Sequence, residues 1–266
     1  MAKNPFSLEG QVVLVSGAGR GLGLESAKLI ARCGATVALT ARTEPEVEAG
    51  AEAIRAEGGN AQAFRSDLGE IEAHGALIDR VEAACGELTG LVNVAGISPS
   101  FERAERITPE VYDQITAINQ RGTFFLTQAV AKRWIDHGAG GSVVAVSSVA
   151  ARVGLPRYSV YAMTRAAIEA MVKTLAAEWG HALEPPIRVN GVAPGFIKTQ
   201  FAEPTPAWYQ ERTRAHTVLR RWGEAEEVAG AVAFLLSEEA RYITGEVIDV
   251  SGGYGLWSLD PAPGKS

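Results

Sequence analysis

Only two cysteines, Cys33 and Cys85, occur in 266 residues, too few for a disulfide framework. Both stand in alanine-rich helical surroundings and read as small buried apolar side chains of a reducing compartment. The four histidines, His74, His137, His181 and His216, show no metal-ligand spacing, and no metal site is expected. No apolar run approaches the ~18 residues of a membrane span. The opening Met1–Gly10 lacks the apolar core of a secretory signal. Lys and Arg form no run, and the formal net charge is -6, which argues against nucleic acid or an anionic membrane as partner. These absences lead to the expectation of a cytoplasmic protein that works on a small molecule.

Glycine, by contrast, is abundant: 29 residues, well above the usual ~7%. Without a collagen period, such glycines belong at tight turns and close backbone approaches. Apolar β-branched runs alternate with helical patterns from end to end. Strands are expected at Val12–Ser16, Thr36–Thr40, Ala61–Arg65, Gly90–Val94, Gly141–Ser147, Ile187–Val192 and Glu246–Val250. Helices fall between them, with Thr108-Pro109 as an N-cap and Gly58-Gly59 as a helix end. Continuous apolar strands alternating with helices imply one doubly wound α/β domain over residues 1–255, a parallel seven-stranded sheet with helices on both faces. Residues 256–266 read as a loose tail. Gly195–Arg220 reads as irregular, rich in Pro and aromatics, and long enough to act as a substrate lid.

The first strand runs into Ser16-Gly17-Ala18-Gly19-Arg20-Gly21-Leu22-Gly23, which opens a helix. Strand, glycine turn and helix aim free N–H groups and the positive helix end at a phosphate. Gly17 permits the turn, Gly21 lets backbone approach a pyrophosphate, and Gly23 lets helix pack on strand.

The G-x-x-x-G-x-G spacing resembles the cofactor motif of the short-chain dehydrogenase/reductase family, whose fold is of the Rossmann type. The resemblance extends over roughly residues 8–255. Asp67-Leu68 resembles the family's adenine-contacting pair. Asn93-Val94-Ala95-Gly96 resembles its N-N-A-G motif, and Asn119 its helix-kink asparagine. Ser148 and Tyr161 stand thirteen positions apart, the family's spacing. Pro194, Gly195, Ile197 and Thr199 resemble the segment beside its nicotinamide. The resemblance implies a nicotinamide cofactor bound by Gly17, Arg20, Gly21, Leu22, Gly23, Arg42, Asp67, Leu68, Asn93, Ala95, Gly96, Tyr161, Arg165, Pro194, Gly195, Ile197 and Thr199.

Which nicotinamide is read at the second strand's end. An acidic residue there would accept from the ribose 2′-OH and repel a phosphate. Ala41 stands in that place, followed by Arg42, with Arg20 able to reach the same spot. Two forked cations and no carboxylate favour NADP(H); Glu44 is the nearby residue that blurs the choice.

Hydride transfer to a carbonyl needs a proton donor at the substrate oxygen. A tyrosine ionises near pH 10 and needs a nearby cation to act around neutrality. In the family a lysine four residues later supplies it; here the sequence reads Tyr161-Ala162-Met163-Thr164-Arg165. Arginine keeps the charge and the donors but cannot lose a proton. A relay would have to bypass it, through water held by Asn119. Tyr158 and Ser147 are rivals of Tyr161 and Ser148, but four residues after Tyr158 stands Ala162, which offers no cation. The resulting expectation is an NADP(H)-dependent ketone reductase, with an imine as a further substrate type and catalytic residues Asn119, Ser148, Tyr161 and Arg165.

Two alternatives stay open. Halohydrin dehalogenases resemble the family in fold and carry Ser–Tyr–Arg, but lack the glycine loop that is intact here. The lost lysine also fits a weakly active NADP-binding protein. Substrate contacts are expected from Ser98, Phe101, Val153, Tyr158, Phe196 and Trp208, with Trp208 and Tyr209 on the lid. Arg152 and Arg157 read either as anion binders or as exposed loop charges. Asn4–Gly10 and the later motifs loosely resemble sugar-acid ketone reductases of the family. Family resemblance also implies a homodimer or homotetramer through helices Gly122–His137 and Ser159–Gly180.

Overall fold

Valine-rich runs with little polar alternation can bury both faces of a strand. They do so here in a seven-stranded parallel sheet: β1 Val12–Ser16, β2 Thr36–Ala41, β3 Asn60–Arg65, β4 Gly90–Asn93, β5 Gly141–Val146, β6 Ile187–Pro194 and β7 Val247–Val250. The computed structural model describes residues 6–202 and 205–256. Helices α1 Gly21–Arg32, α2 Glu44–Ala56, α3 His74–Cys85, α4 Pro109–Thr116, α5 Thr123–His137, α6 Ser159–Trp179, α7 Ala207–Ala215 and α8 Ala225–Leu236 connect or follow the strands. The expected boundaries hold to within a residue or two, except that the third helix opens with a 3₁₀ turn, Ile71–Ala73.

Strand order is β3-β2-β1-β4-β5-β6-β7. The winding reverses between β1 and β4, and a crevice opens there at the carboxyl ends of the strands. Side-chain alternation along β1 divides the core. Val13 and Val15 join Ile30 of α1, Val47 and Ile54 of α2, and Val228, Val232 and Leu235 of α8. Val12 and Leu14 join Leu77 of α3, Leu126 and Trp134 of α5, and Ile168 and Val172 of α6 on the other face. Each fully buried aliphatic side chain contributes about 1.5–3 kcal/mol. Trp134 satisfies its indole by donating to the Leu88 carbonyl at 2.6 Å.

Helix ends follow local chemistry. The Thr108 hydroxyl accepts from the Val111 amide, with Pro109 in the first turn. Glu224 and Glu227 close a capping box on α8. Helix α1 is different: its first turn has no side-chain cap and no acidic residue, so its N–H groups face the crevice without a side-chain partner.

Two features depart from the sequence reading. Gly195–Arg220 is not irregular throughout; α7 forms inside it, with Tyr209 and Thr213 turned inward. Between α4 and α5 the chain winds as a π-helix, Ala117–Gly122. Gly122 there lies so near Leu68 that a Cβ would meet its carbonyl oxygen at 2.5 Å. Cys33 and Cys85 are free and half-buried, and burial raises both thiols above their ordinary value. Among the described residues no helix is long and apolar enough to cross a membrane, and no His/Cys/Asp/Glu group could hold a metal.

Candidate active site

The cleft at the switch point begins at the glycine loop. Gly17 has φ +73, and a Cβ there would lie 2.7 Å from the Ala95 backbone. At Gly23 a Cβ would lie 2.1 Å from the Gly17 carbonyl oxygen, so only glycine lets α1 start this close to β1. Gly21, Leu22, Thr199 and Gln200 border the space in front of the helix. Farther along stand Ala41, Arg42, Thr43, Ser66, Asp67 and Leu68. Buried His74 also reaches this wall. Its Nε2 lies 3.2 Å from the Leu68 carbonyl, while its Nδ1 has no partner. Burial outweighs the backbone hydrogen bonds and lowers the imidazole below its ordinary value.

The carboxylate in this region is Glu46, not Glu44. Glu46 lines the cleft, and its Oε1 lies 3.8 Å from the Arg20 guanidinium. Its Oε2 would be 3.1 Å from a Cβ on Gly19. Strand register offers no sign of Glu46, because the first turn of α2 rather than the end of β2 brings it forward.

At the other end, α6 and the end of β5 assemble the polar floor. Arg165 is 4% exposed. Its Nη1 donates to the Val146 carbonyl at 2.8 Å, and its guanidinium lies over the Tyr161 ring, 4.9 Å from the centroid. A Cβ on Gly96 would overlap Arg165 Nη2 at 1.9 Å, so Gly96 provides the room for the larger cation. No carboxylate pairs with Arg165 among the described residues, and its Nε is buried without a partner. An unpaired buried guanidinium is expensive, and such sites are maintained for a ligand or a reacting group.

The two rivalries are separated by geometry. The Ser147 hydroxyl points away to the Arg165 carbonyl and Glu169 Oε1, both at 3.1 Å. The Ser148 hydroxyl accepts from the Ala150 amide at 3.1 Å and keeps its own proton free for another acceptor. Among the described residues no cation lies over the Tyr158 ring; burial raises its phenol, an effect partly offset by the hydrogen bond with Thr205.

Several expected site residues do not line the cleft. Asn93 lies beneath it: its Oδ1 accepts from Ser16 Oγ and its Nδ2 donates to Thr127 Oγ1. Asn119 sits in the π-helix, where Oδ1 accepts from the Ile97 amide and Nδ2 donates to the Ile97 carbonyl and Thr164 Oγ1. Both amide protons are therefore used, and the residue clamps backbone rather than offering them to a water. Ser98 lies outside the lining. Phe101 stands a layer back, edge-on to Tyr158 and Tyr209. Val153 is turned toward Gly255 instead. Trp208 is 55% exposed and packs edge-on against Tyr209. Tyr158, Phe196, Pro194, Gly195, Ile197 and Thr199 do line the cleft, together with Ile97, Leu155, Phe201 and Thr205.

Arg152 and Arg157 are both occupied. Arg152 pairs with Glu169 and Asp249 and donates to the Val247 carbonyl. Arg157, at φ +73, donates to the Phe101 carbonyl at 3.4 Å and lies over that ring.

A doubly wound sheet, an uncapped helix over a glycine turn and a Ser–Tyr–Arg floor define a dinucleotide-fold α/β protein. A family model described as enoyl-(acyl carrier protein) reductase matches residues 17–255. An uncharacterized oxidoreductase of Methylorubrum extorquens is 38% identical over 252 residues, covering 92% of this chain and 98% of that protein. Gluconate 5-dehydrogenase of Gluconobacter oxydans is 34% identical over 257 residues, covering 93% and 96%. The crystal structure of a gluconate 5-dehydrogenase from Burkholderia cenocepacia, in complex with NADP and tartrate, has a TM-score of 0.89 at 31% identity, covering 96% and 98%. The chain belongs to the short-chain dehydrogenase/reductase family, and is an oxidoreductase of that family.

Proposed function

We propose that this chain uses NADP(H) to interconvert a ketone and its alcohol. The observation that carries the reading is the shape of one cleft: a glycine cradle at one end and a buried, unpaired Arg165 over Tyr161 at the other. The cradle fits the cofactor. Gly17, Gly21 and Gly23 leave the room, and uncapped α1 offers N–H groups to a pyrophosphate. Asp67 and Leu68 stand where adenine would lie. Arg20 and Arg42 could hold a 2′-phosphate, with Glu46 competing for Arg20. Arg165, on the cleft floor, supplies the guanidinium that would donate to ribose hydroxyls. NADP in the Burkholderia cenocepacia structure agrees with this assignment.

When bound, the cofactor supplies or accepts the hydride at nicotinamide C4. Ser148 donates its free hydroxyl proton to the carbonyl oxygen and fixes its position. Tyr161 delivers its phenolic proton to the same oxygen. Arg165 stabilises the negative charge left on the phenol oxygen, through a low-dielectric contact and without giving up a proton. Since Asn119 has committed both its amide protons, the phenol regains its proton from solvent at the partly open mouth rather than through that side chain. An assembly through the outer faces of α5 and α6 accompanies this reading.

Titration with NADPH, followed by its oxidation in the presence of a ketone panel, tests the proposal. Saturable binding with ketone-dependent oxidation is expected. Absence of binding at high micromolar NADPH, with halide released from a vicinal halohydrin, would replace it by the dehalogenase chemistry. The relatives named gluconate 5-dehydrogenase make a hydroxylated keto acid one member of the panel.

A further inference from the structure

We infer that the substrate is an uncharged ketone carrying an aromatic or similarly flat apolar group, rather than the anion of a hydroxylated acid. This rests on the oxidoreductase reading above and concerns the same cleft.

The wall beyond Tyr161 and Ser148 is formed by Ile97, Leu155, Tyr158, Phe196 and Phe201. Tyr161 itself is flanked by two rings, Tyr158 at 5.9 Å and Phe201 at 5.8 Å between centroids. These are separations at which a third ring can add edge-to-face or offset contacts. Phe101 and Tyr209 brace the wall from behind, edge-on at 5.2 Å, and Phe196 packs on Tyr209 and Trp222. A wall supported in this way favours a rigid flat group over a flexible chain.

The polar inventory points the same way. The Tyr158 phenol already has a hydrogen bond with Thr205. Gln200 Oε1 lies by the glycine loop, 3.6 Å from where a Cβ on Gly21 would stand. A polyhydroxylated substrate would therefore lose water against Ile97, Leu155, Phe196 and Phe201, whose side chains return no hydrogen bond. A carboxylate would fare worse. Arg152 is held by two carboxylates and a carbonyl, and Arg157 by the carbonyl and ring of Phe101. Lys198 is paired with Glu224, and exposed Arg212 lies outside the lining. Among the described residues, Arg165 is the one cation in the lining at this end, on the floor beneath Tyr161. A substrate carboxylate placed there would displace the carbonyl from Tyr161 and Ser148.

The test is a matched set of ketones with NADPH: acetophenone, its 4-carboxylate, and 5-ketogluconate. Acetophenone is expected to exceed both anions in kcat/KM by about tenfold or more. Phe201→Ala should lower kcat/KM for acetophenone severalfold more than it lowers that for acetone. An anion reduced as well as or better than acetophenone would overturn the inference. Should none be reduced, calorimetry with the protein–NADP+ complex decides. Binding of acetophenone at least about tenfold tighter than either anion upholds the substrate class, although hydride transfer has failed. Tighter binding of an anion, or no binding of acetophenone, overturns it.

Discussion

The two ends of the cleft are built by different means. At the phosphate end, backbone forms the site: Gly17 and Gly23 sit where a Cβ would strike main chain, and the start of α1 is left uncapped. At the substrate end, side chains form it: Phe101, Tyr158, Tyr161, Phe196, Phe201 and Tyr209 pack ring on ring, and Arg152 and Arg157 are tied down. A backbone site tolerates little change at a few positions and is shared by many relatives. A side-chain site can be re-lined without disturbing the sheet. The first end should therefore govern cofactor binding, and the second the choice of substrate.

Gly23→Ala attacks the first end directly. Its new methyl would meet the Gly17 carbonyl, and the flexible side chains that could yield are absent. NADPH affinity should fall by about a hundredfold, and overpacking should lower stability by about 1–3 kcal/mol. Fluorescence titration and thermal melts check both; unchanged affinity would break the contrast. Arg165→Lys acts at the second end. Gly96 and the Val146 carbonyl fit a guanidinium, so lysine keeps the charge but loses the fork. A roughly tenfold fall in kcat is expected, with NADPH affinity less affected. A rise in kcat would show that the arginine is a handicap.

Glu46→Gln sharpens the division within the first end. Removal of the carboxylate beside Arg20 should lower KM for NADPH severalfold and leave that for NADH nearly unchanged. Equal effects on both would remove Glu46 from any role at the 2′ position. The smallest effect concerns His74. Burial keeps its folded value below the ordinary imidazole value near 6.5. Above that pH both folded and unfolded chains hold it neutral. As pH falls below 6.5 the unfolded chain takes the proton first, and stability declines until the lower folded value is passed. Melting temperatures between pH 7.5 and 5 should show this slope, and His74→Gln should flatten it.

The same contrast explains what could be read in the amino-acid sequence. Gly17, Gly21 and Gly23, and Tyr161 thirteen residues after Ser148, are local spacings that report backbone geometry. So are the alternating apolar runs that set the seven strands. Glu46 was hidden because a helix turn, not strand register, brings it to Arg20. Asn93 and Asn119 have the right residue types but lie beneath the floor, where the Ser16 and Thr127 hydroxyls engage the first amide and the Ile97 backbone the second. Phe101 and Trp208 lie outside the lining, edge-on to Tyr209 of α7, a helix in a segment without helical periodicity. Arg152 and Arg157 could not be placed without Glu169, Asp249 and Phe101, each brought in by tertiary packing.

The most direct test of the account follows the hydride itself. The protein is mixed with NADPH carrying deuterium at both C4 positions and with acetophenone, and the alcohol is analysed by mass spectrometry and NMR. The account predicts deuterium on the carbinol carbon, with the transfer slowed by about 10²–10⁴ in Tyr161→Phe while NADPH binding is retained. A protein that binds both molecules yet leaves no deuterium in the alcohol, or transfers it equally fast without the Tyr161 hydroxyl, would contradict it.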